Sequence, residues 1–353
     1  MDSVTQMLLG GAVAQAGFRR RLGRGAMVAG AAIALVPDLD VAAGWINTFT
    51  NWKHHRGLTH SVFFGPVVGP ALGWMAWKWH RWRRRTPTPP GMVPALPETP
   101  DETLRSWIWL AILALMTHWL IDLPTSYGTQ ALYPLSDFRF AWNALGIIDV
   151  VYSLILIVAL VIGFAMKNRP RFAEDAAAVA LILVTAYTLT GLAINGHVEA
   201  RAREQLGPET RVTAYPTLFQ PVYRRVVVER PDEILVGYHS VLNDAKPIDW
   251  KRFPREQGPA IAAVQASERG RLFTWFSMDN AYWTSRPAEN ANSLVEASDT
   301  RYGVPGDTEL GFWGISALVD PQGNIVGEVE AFNRRPAASS RTLGDYWKAV
   351  LGN

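Results

Sequence analysis

The sequence predicts an α-helical polytopic membrane domain of about six segments, followed by a small β-rich α+β soluble domain. Three observations carry this. Nearly all the long apolar runs lie before residue 196. Arginine clusters recur at alternate ends of those runs. Beyond about residue 206 the chain changes to short stretches rich in valine, isoleucine and aromatics, broken by turn residues. The 353 residues divide on this pattern into a membrane domain, 1–200, and an extramembrane domain, 201–353.

The apolar segments come in order at 4–18, 26–36, 61–79, 106–121, 150–166 and 176–194. The last has 19 residues without a charge, close to the roughly 20 a bilayer core needs. The first is short, and the second stops at Pro37-Asp38-Leu39-Asp40, so either reads equally as a half-helix or a re-entrant piece. The third carries Pro66 and Pro70, tolerable inside a bundle. Residues 83–103, rich in Pro and Thr, read as a flexible loop.

Composition narrows the chemistry. The 49% hydrophobic content and slightly positive mean hydropathy average over two solvents. Without cysteine there are no disulfides, thiolate metal sites or Cys nucleophile, so a metal must take His, carboxylate or water ligands. A net charge of +3 does not imply nucleic acid, because the arginines sit at the ends of apolar segments. Asp2 stands where a signal peptide needs positive charge, so cleavage is not expected.

The positive-inside rule sets a direction. Arg19, Arg20, Arg21 and Arg24 fall on one side with Lys78, Arg81, Arg83, Arg84, Arg85, Arg105, Lys167, Arg169 and Arg171. The opposite side has only Lys53, Arg56, Arg139, Arg201 and Arg203. The first side is therefore cytoplasmic, and the C-terminal domain falls outside. Tryptophans mark both rims as an aromatic belt, with Trp74, Trp77, Trp79, Trp82, Trp107 and Trp109 inside and Trp45, Trp52 and Trp142 outside.

On that topology the unusual polar residues collect on the outer face: Asp2 and Gln6, Asp38 and Asp40, then His54, His55, Arg56 and His60 of NWKHHRGLTHS, then His118 and Asp122, and Asp149. His118 and Asp122 are four apart, so a helix projects both from one face. Ionisable groups at membrane depth cost about 2.5–3.5 kcal/mol each on insertion scales and are functional candidates by default. Each has a bland counterpart: an intrahelical hydrogen bond for His118 and Asp122, a helix break for Asp38, a helix-dipole acid at Asp149, headgroup contact for His54 and an interfacial place for His80. His197 and His239 read as structural. Convergence of five stretches favours a divalent metal. Imidazole with carboxylate suits zinc, and equally manganese or iron.

MDSVTQ, PDLD, HRGLTHS, HWLIDLPTSYGTQALYPLS, FRFAW and IID, over roughly residues 1–200, resemble the YdjM-like bacterial inner-membrane metal-dependent hydrolases, also called LexA-binding inner-membrane-associated hydrolases. That family is distantly similar to zinc-dependent phospholipases C and nucleases. The resemblance implies metal ligands at Asp40, His55 or His60, His118 and Asp122, with Asp38 on the metal or supporting a ligand. Gln6 occupies a slot where many relatives have His, and relatives have an Asp near Asn143. Both departures bear on the number of metals.

The outer domain is expected to hold strands at 224–229, 234–242, 271–277, 310–320 and 324–332, with a turn at 320–323. Its aromatics, Trp275, Phe276, Tyr282, Trp283 and Trp313, are expected in the core. The leading expectation is a membrane-bound, metal-dependent hydrolase acting on a phosphoester or lipid-like substrate through a metal-activated water at the outer membrane face. Asp38 or Asp122 would accept the proton, and Arg56 would hold an anionic oxygen. The expected partners are membrane lipid and that substrate, with no nucleic acid, because neither a helix-turn-helix nor a basic groove is present. The alternatives are a transporter or proton-coupled carrier, and a scaffold with a vestigial site. An HExxH metalloprotease is excluded by the missing motif.

Overall fold

The computed structural model describes residues 1–84, 99–305, 309–335 and 340–352. Most of the expected 83–103 loop lies outside the described residues, but residues 99–103 are ordered as the start of a helix. The chain forms two compact units, Met1–Val41 with His54–Thr190 and Leu218–Gln220, and Ala42–Lys53 with Gly191–Thr217 and Pro221–Asn353. The expected boundary near residue 200 falls inside one continuous helix.

The first unit is helical. Its main helices are α1 (Ser3–Leu22), α2 (Gly25–Ala34), α4 (Phe64–Arg84), α5 (Pro100–Asp122), α6 (Val150–Ala165) and the first part of α7 (Pro170–Leu206). The short α3 (Thr48–His54) comes between α2 and α4 in sequence but belongs, up to Lys53, to the second unit. Local chemistry sets the ends. Asp2 caps α1 by accepting from the backbone N–H groups of Val4 and Thr5. Thr99 and Glu102 form a capping box on α5, with Pro100 in its first turn. Asp149 caps α6. Pro37 follows the end of α2, and the backbone tightens into a 3-10 stretch, Val36–Trp45.

The helices approach closely where side chains are missing. A Cβ on Gly10 would stand 2.5 Å from the Gly30 carbonyl oxygen, and one on Gly30 would stand 2.6 Å from that of Gly10, so α1 and α2 pack nearly backbone to backbone. Gly65, Gly69 and Gly73, four residues apart on α4, face Met116, Ile112 and Ile108 of α5 in descending order. The two helices are thus antiparallel along a small-xxx-small seam.

Among the described residues, three helical stretches are long and apolar enough to cross a membrane: Gly25–Trp45, Pro100–Asp122 and Pro170–Leu206. The expectation of six segments is not supported by length and hydropathy among the described residues, where α6 is a shorter apolar helix. Two physical reasons are visible. Helix α1 carries Thr5, Gln6, Gln15 and three arginines within 20 residues, and α4 ends in a run of Trp, Lys and Arg.

The second unit holds two four-stranded antiparallel sheets, each a meander in sequence order. The first is β1 (Arg211–Pro216), β2 (Tyr223–Glu229), β3 (Glu233–Ser240) and β4 (Lys251–Pro254). The second is β5 (Ala281–Pro287), β6 (Ser293–Asp299), β7 (Trp313–Val319) and β8 (Ile325–Asn333). Val198 and Ala202 from the end of α7 pack against Val212, Val226, Val228 and Leu235 on one face of the first sheet. Between the sheets come α8 (Pro259–Ala266) and α9 (Glu268–Phe276), and α10 (Ser340–Val350) closes the chain.

The strand expected at 271–277 is instead α9. The Ser267 side chain accepts from the Gly270 N–H and starts a helix whose Phe273 and Phe276, one turn apart, are buried. Trp52 stacks on Phe276 at 4.9 Å rather than belonging to a membrane rim, and Trp107 is likewise buried. The Asp320–Gly323 turn between β7 and β8 forms as expected: Asp320 accepts from the Gln322 and Asn324 N–H groups, and Gly323 has φ 86°.

Candidate metal centre

All seven candidate residues meet in the first unit, drawn from three separate stretches, 38–40, 55–60 and 118–122. Pro37 turns the chain so that Asp38 and Asp40 leave the end of α2 toward the C-terminal end of α5. Asp38 Oδ1 lies 3.3 Å from His118 Nε2 and 3.4 Å from His60 Nε2. The two Nε2 atoms stand 2.9 Å apart. Asp122 Oδ2 completes this side, 3.5 Å from His60 Nε2 and 3.8 Å from His118 Nε2. His60, His118 and Asp122 are buried, and the Asp38 side chain is 12% exposed.

Each imidazole is turned by a partner on its other nitrogen. His118 Nδ1 donates to the Ala34 carbonyl at 2.6 Å. His60 Nδ1 lies 3.1 Å from Asp40 Oδ2. Asp40 is fully engaged: it also takes His55 Nδ1 at 2.6 Å, the Arg56 N–H at 3.1 Å and the Thr59 hydroxyl at 2.7 Å. Among the described residues there are two groups of potential ligands, Asp38–His60–His118 and Asp40–His55–His60, which share one ring. His55 belongs only to the second.

Burial alone would push the His60 imidazolium toward the neutral form, but the carboxylates of Asp38 and Asp40 outweigh it and hold its pKa above the ordinary histidine value. At His55 burial prevails over Asp40, and the pKa is lowered.

Arg56 has φ 61°, a left-handed backbone unusual outside glycine, next to Gly57. This conformation lets its N–H reach Asp40 while its guanidinium reaches Asp122 Oδ1 at 3.1 Å and the Thr125 hydroxyl at 2.7 Å. The group lies over the Tyr127 ring at 4.9 Å. Asp122 Oδ1 also accepts from Gln6 Nε2 at 3.1 Å and from the Met1 amine. Gln6 therefore sits against the cluster as a donor to Asp122. Asp122 Oδ2 has no hydrogen-bond partner among the described residues.

Several supporting residues escaped the sequence reading: Ser3, whose hydroxyl donates to Asp38 Oδ2 at 2.7 Å, Thr59, Thr125, Tyr127 and the Ala34 carbonyl. Thr59 and Thr125 lie inside the HRGLTHS and HWLIDLPTS motifs and were findable there. A backbone carbonyl leaves no signal in a sequence. Asp149 stands apart from the cluster, capping α6 and accepting from the Tyr187 hydroxyl at 2.9 Å. His54 is exposed. His197 and His239 share Asp244 Oδ1 at 2.8 and 3.0 Å in the second unit.

The ligand atoms suit a metal. In a tetrahedral zinc site with bonds of about 2.0–2.1 Å, neighbouring ligand atoms are about 3.3 Å apart. The Asp38, His60 and His118 spacings bracket that value. His118 Nδ1 faces the Ala34 carbonyl, and His60 Nδ1 lies 3.0 Å from the Thr59 hydroxyl and 3.1 Å from Asp40 Oδ2, so the tautomers with protonated Nδ1 turn both Nε2 lone pairs toward one point.

Apolar helices long enough to span, with a buried Asp–His cluster at one end of the bundle, define a membrane protein with a candidate metal centre. Residues 1–195 match the YdjM inner membrane protein family, more than half the chain, and the protein belongs to that family. It is also similar to the Bacillus subtilis (strain 168) protein YfhP, described as uncharacterized, with 28% identity over 167 residues. That match covers 44% of this chain and 43% of YfhP, so the chain aligns with less than half of its relative. No solved structure matches the chain.

Proposed function

We propose that the protein is a membrane-bound, metal-dependent hydrolase that cleaves a phosphoester of a lipid-like substrate. Asp38, His60 and His118 hold a divalent metal, zinc first. The facing Nε2 atoms of His60 and His118, each ring fixed from behind by a hydrogen bond, support this reading most strongly. The metal supplies Lewis acidity, which lowers the pKa of a coordinated water and polarises the bond to be broken.

The protein's own residues supply the rest. Asp40 orients His60, and the Ala34 carbonyl orients His118. Asp122 Oδ2, unpartnered and turned toward both rings, accepts the proton of the attacking water. Arg56 Nε, also buried and without a hydrogen-bond partner among the described residues, is the donor left for an anionic substrate oxygen. Asp40 and His55 orient the site in this proposal rather than ligating this metal.

We further propose a multi-pass arrangement with the cluster and the C-terminal unit on the periplasmic side. The basic ends of α1 and α4 support it through the positive-inside rule.

The test is metal analysis and phosphoesterase assay of the purified full chain beside His118→Ala and Asp122→Ala. The reading expects about one metal per chain, lost in His118→Ala, and turnover lost in both. Metal and turnover surviving both changes would overturn it. Stoichiometric metal with no phosphoester cleaved would remove the hydrolase and leave a metal-bound scaffold.

A further inference from the structure

The opposite end of the first unit carries different chemistry. Along α5, Trp107 lies about 16 Å from His118 at 1.5 Å per residue, toward the basic end of the bundle. There α4 ends in three cation–π pairs, each four residues apart: Lys78 over Trp74 at 3.8 Å, Arg81 over Trp77 at 4.8 Å and Arg83 over Trp79 at 5.2 Å. Trp74, Trp79 and Trp82 are exposed. Trp77 packs beside Leu22, Ala26 and Trp107, so the C-terminal end of α1 and the ends of α4 and α5 meet here.

A second observation is independent of that ladder. Four buried donor atoms at this end have no acceptor among the described residues: Arg19 Nη1, Arg24 Nε, Trp77 Nε1 and Trp107 Nε1. Arg19 and Trp107 are each only 3% exposed. The nearby carboxylates are engaged elsewhere, Glu174 with Arg20 and Glu102 in the capping box with Thr99. Buried donors left without partners are costly, at about 1–3 kcal/mol each. What they lack is a partner made of acceptors.

We infer that this end of the helical unit is a docking surface for anionic phospholipid headgroups. Phosphate and ester oxygens supply the missing acceptors, and the exposed Lys and Arg side chains match the headgroup charge. The exposed tryptophans are amphipathic rings of the kind enriched at headgroup level. The occupant is a lipid of the bilayer rather than a soluble anion, because the donors adjoin apolar helix surface that acyl chains cover. The site is separate from the metal centre and does not depend on the proposed hydrolysis.

The experiment uses the full chain purified in detergent, with phosphatidylglycerol and phosphatidylcholine added in equal amounts and retained lipid counted by native mass spectrometry. The wild type is expected to prefer phosphatidylglycerol at least about tenfold, with a single neutralisation among Lys78→Gln, Arg81→Gln and Arg83→Gln lowering the preference up to about fivefold and the triple variant retaining both lipids equally. Trp77→Phe, which removes the N–H and keeps the ring, is expected to weaken retention while helicity and metal content stay unchanged. Equal retention of both lipids by the wild type overturns the inference, as does an undiminished preference in the triple variant. Inorganic phosphate at matched ionic strength is expected not to displace the lipid; displacement would assign the surface to a soluble anion and overturn it too.

Discussion

His60 is held on both sides of its ring. Asp40 takes Nδ1 and in turn takes His55, Thr59 and the Arg56 backbone, so one carboxylate fixes the ring and the loop that carries it. Asp40→Asn keeps the size and removes the charge. It is expected to weaken metal binding about 10–100-fold, as loss of an orienting carboxylate typically does, measured by competition with a chelator of known affinity. His60→Ala is expected to abolish binding altogether. Equal affinities for wild type and Asp40→Asn would show that Asp40 has no orienting part. The candidate residues were legible in the sequence because charge at membrane depth is rare. Their division of labour was not, since it depends on which imidazole nitrogen faces which oxygen. The sequence put Asp40 among the metal ligands and Asp38 on the metal or in support of a ligand, whereas Asp38 faces both Nε2 atoms and Asp40 meets His60 Nδ1 from behind.

At the scale of elements, close approach of glycines governs the helical unit. A Cβ on Gly69 would stand 2.6 Å from the Ile112 side chain, and one on Gly73 2.5 Å from the Ile108 backbone. Gly73→Leu must therefore push α4 away from α5, at an expected cost of about 1–3 kcal/mol or more, read as a lowered melting temperature in detergent. Gly17, which meets nothing within 4 Å, is the matched control. In the second unit, Ser267→Ala removes the cap of α9 and is expected to cost about 1 kcal/mol, seen in the unfolding transition followed by Trp fluorescence. That helix also shows why the sequence reading failed at 271–277. Phe273, Trp275 and Phe276 have the composition of a strand, and the decisive signal was the serine upstream. Strands β2, β3, β7 and β8 were legible from their branched residues, whereas β5 and β6 were hidden among Ser, Thr, Glu and Asp.

For the whole molecule, polarity along the helix axes is the organising fact. Basic residues and tryptophans gather at one end of the first unit and the Asp–His cluster at the other. This asymmetry was readable from the order of residues before any coordinates, although the number of spans was not, because α1 and α4 mix apolar and polar faces. The absence of cysteine makes the proposed topology simple to test. A single cysteine at exposed Arg252 should react with a membrane-impermeant maleimide in intact spheroplasts, and one at exposed Arg21 should react only after lysis. The reverse pattern would invert the topology. Chelation should lower the melting temperature of the full chain, since a ligand at 100 times its Kd contributes about 2.7 kcal/mol. No shift on chelation in a metal-replete preparation would place the ion outside the folded core.

The shared ring of His60 has one more consequence. Whatever loads Nε2, proton or metal ion, draws electron density through the imidazole and makes the opposite N–H more acidic. The bond to Asp40 then tightens, and Asp40 Oδ1 is where His55, the more open of the ring pair at 16% side-chain exposure, is attached. Occupancy deep in the bundle is thereby signalled to a histidine near the surface, so the His55 ring resonances in an NMR spectrum should report whether the interior is filled.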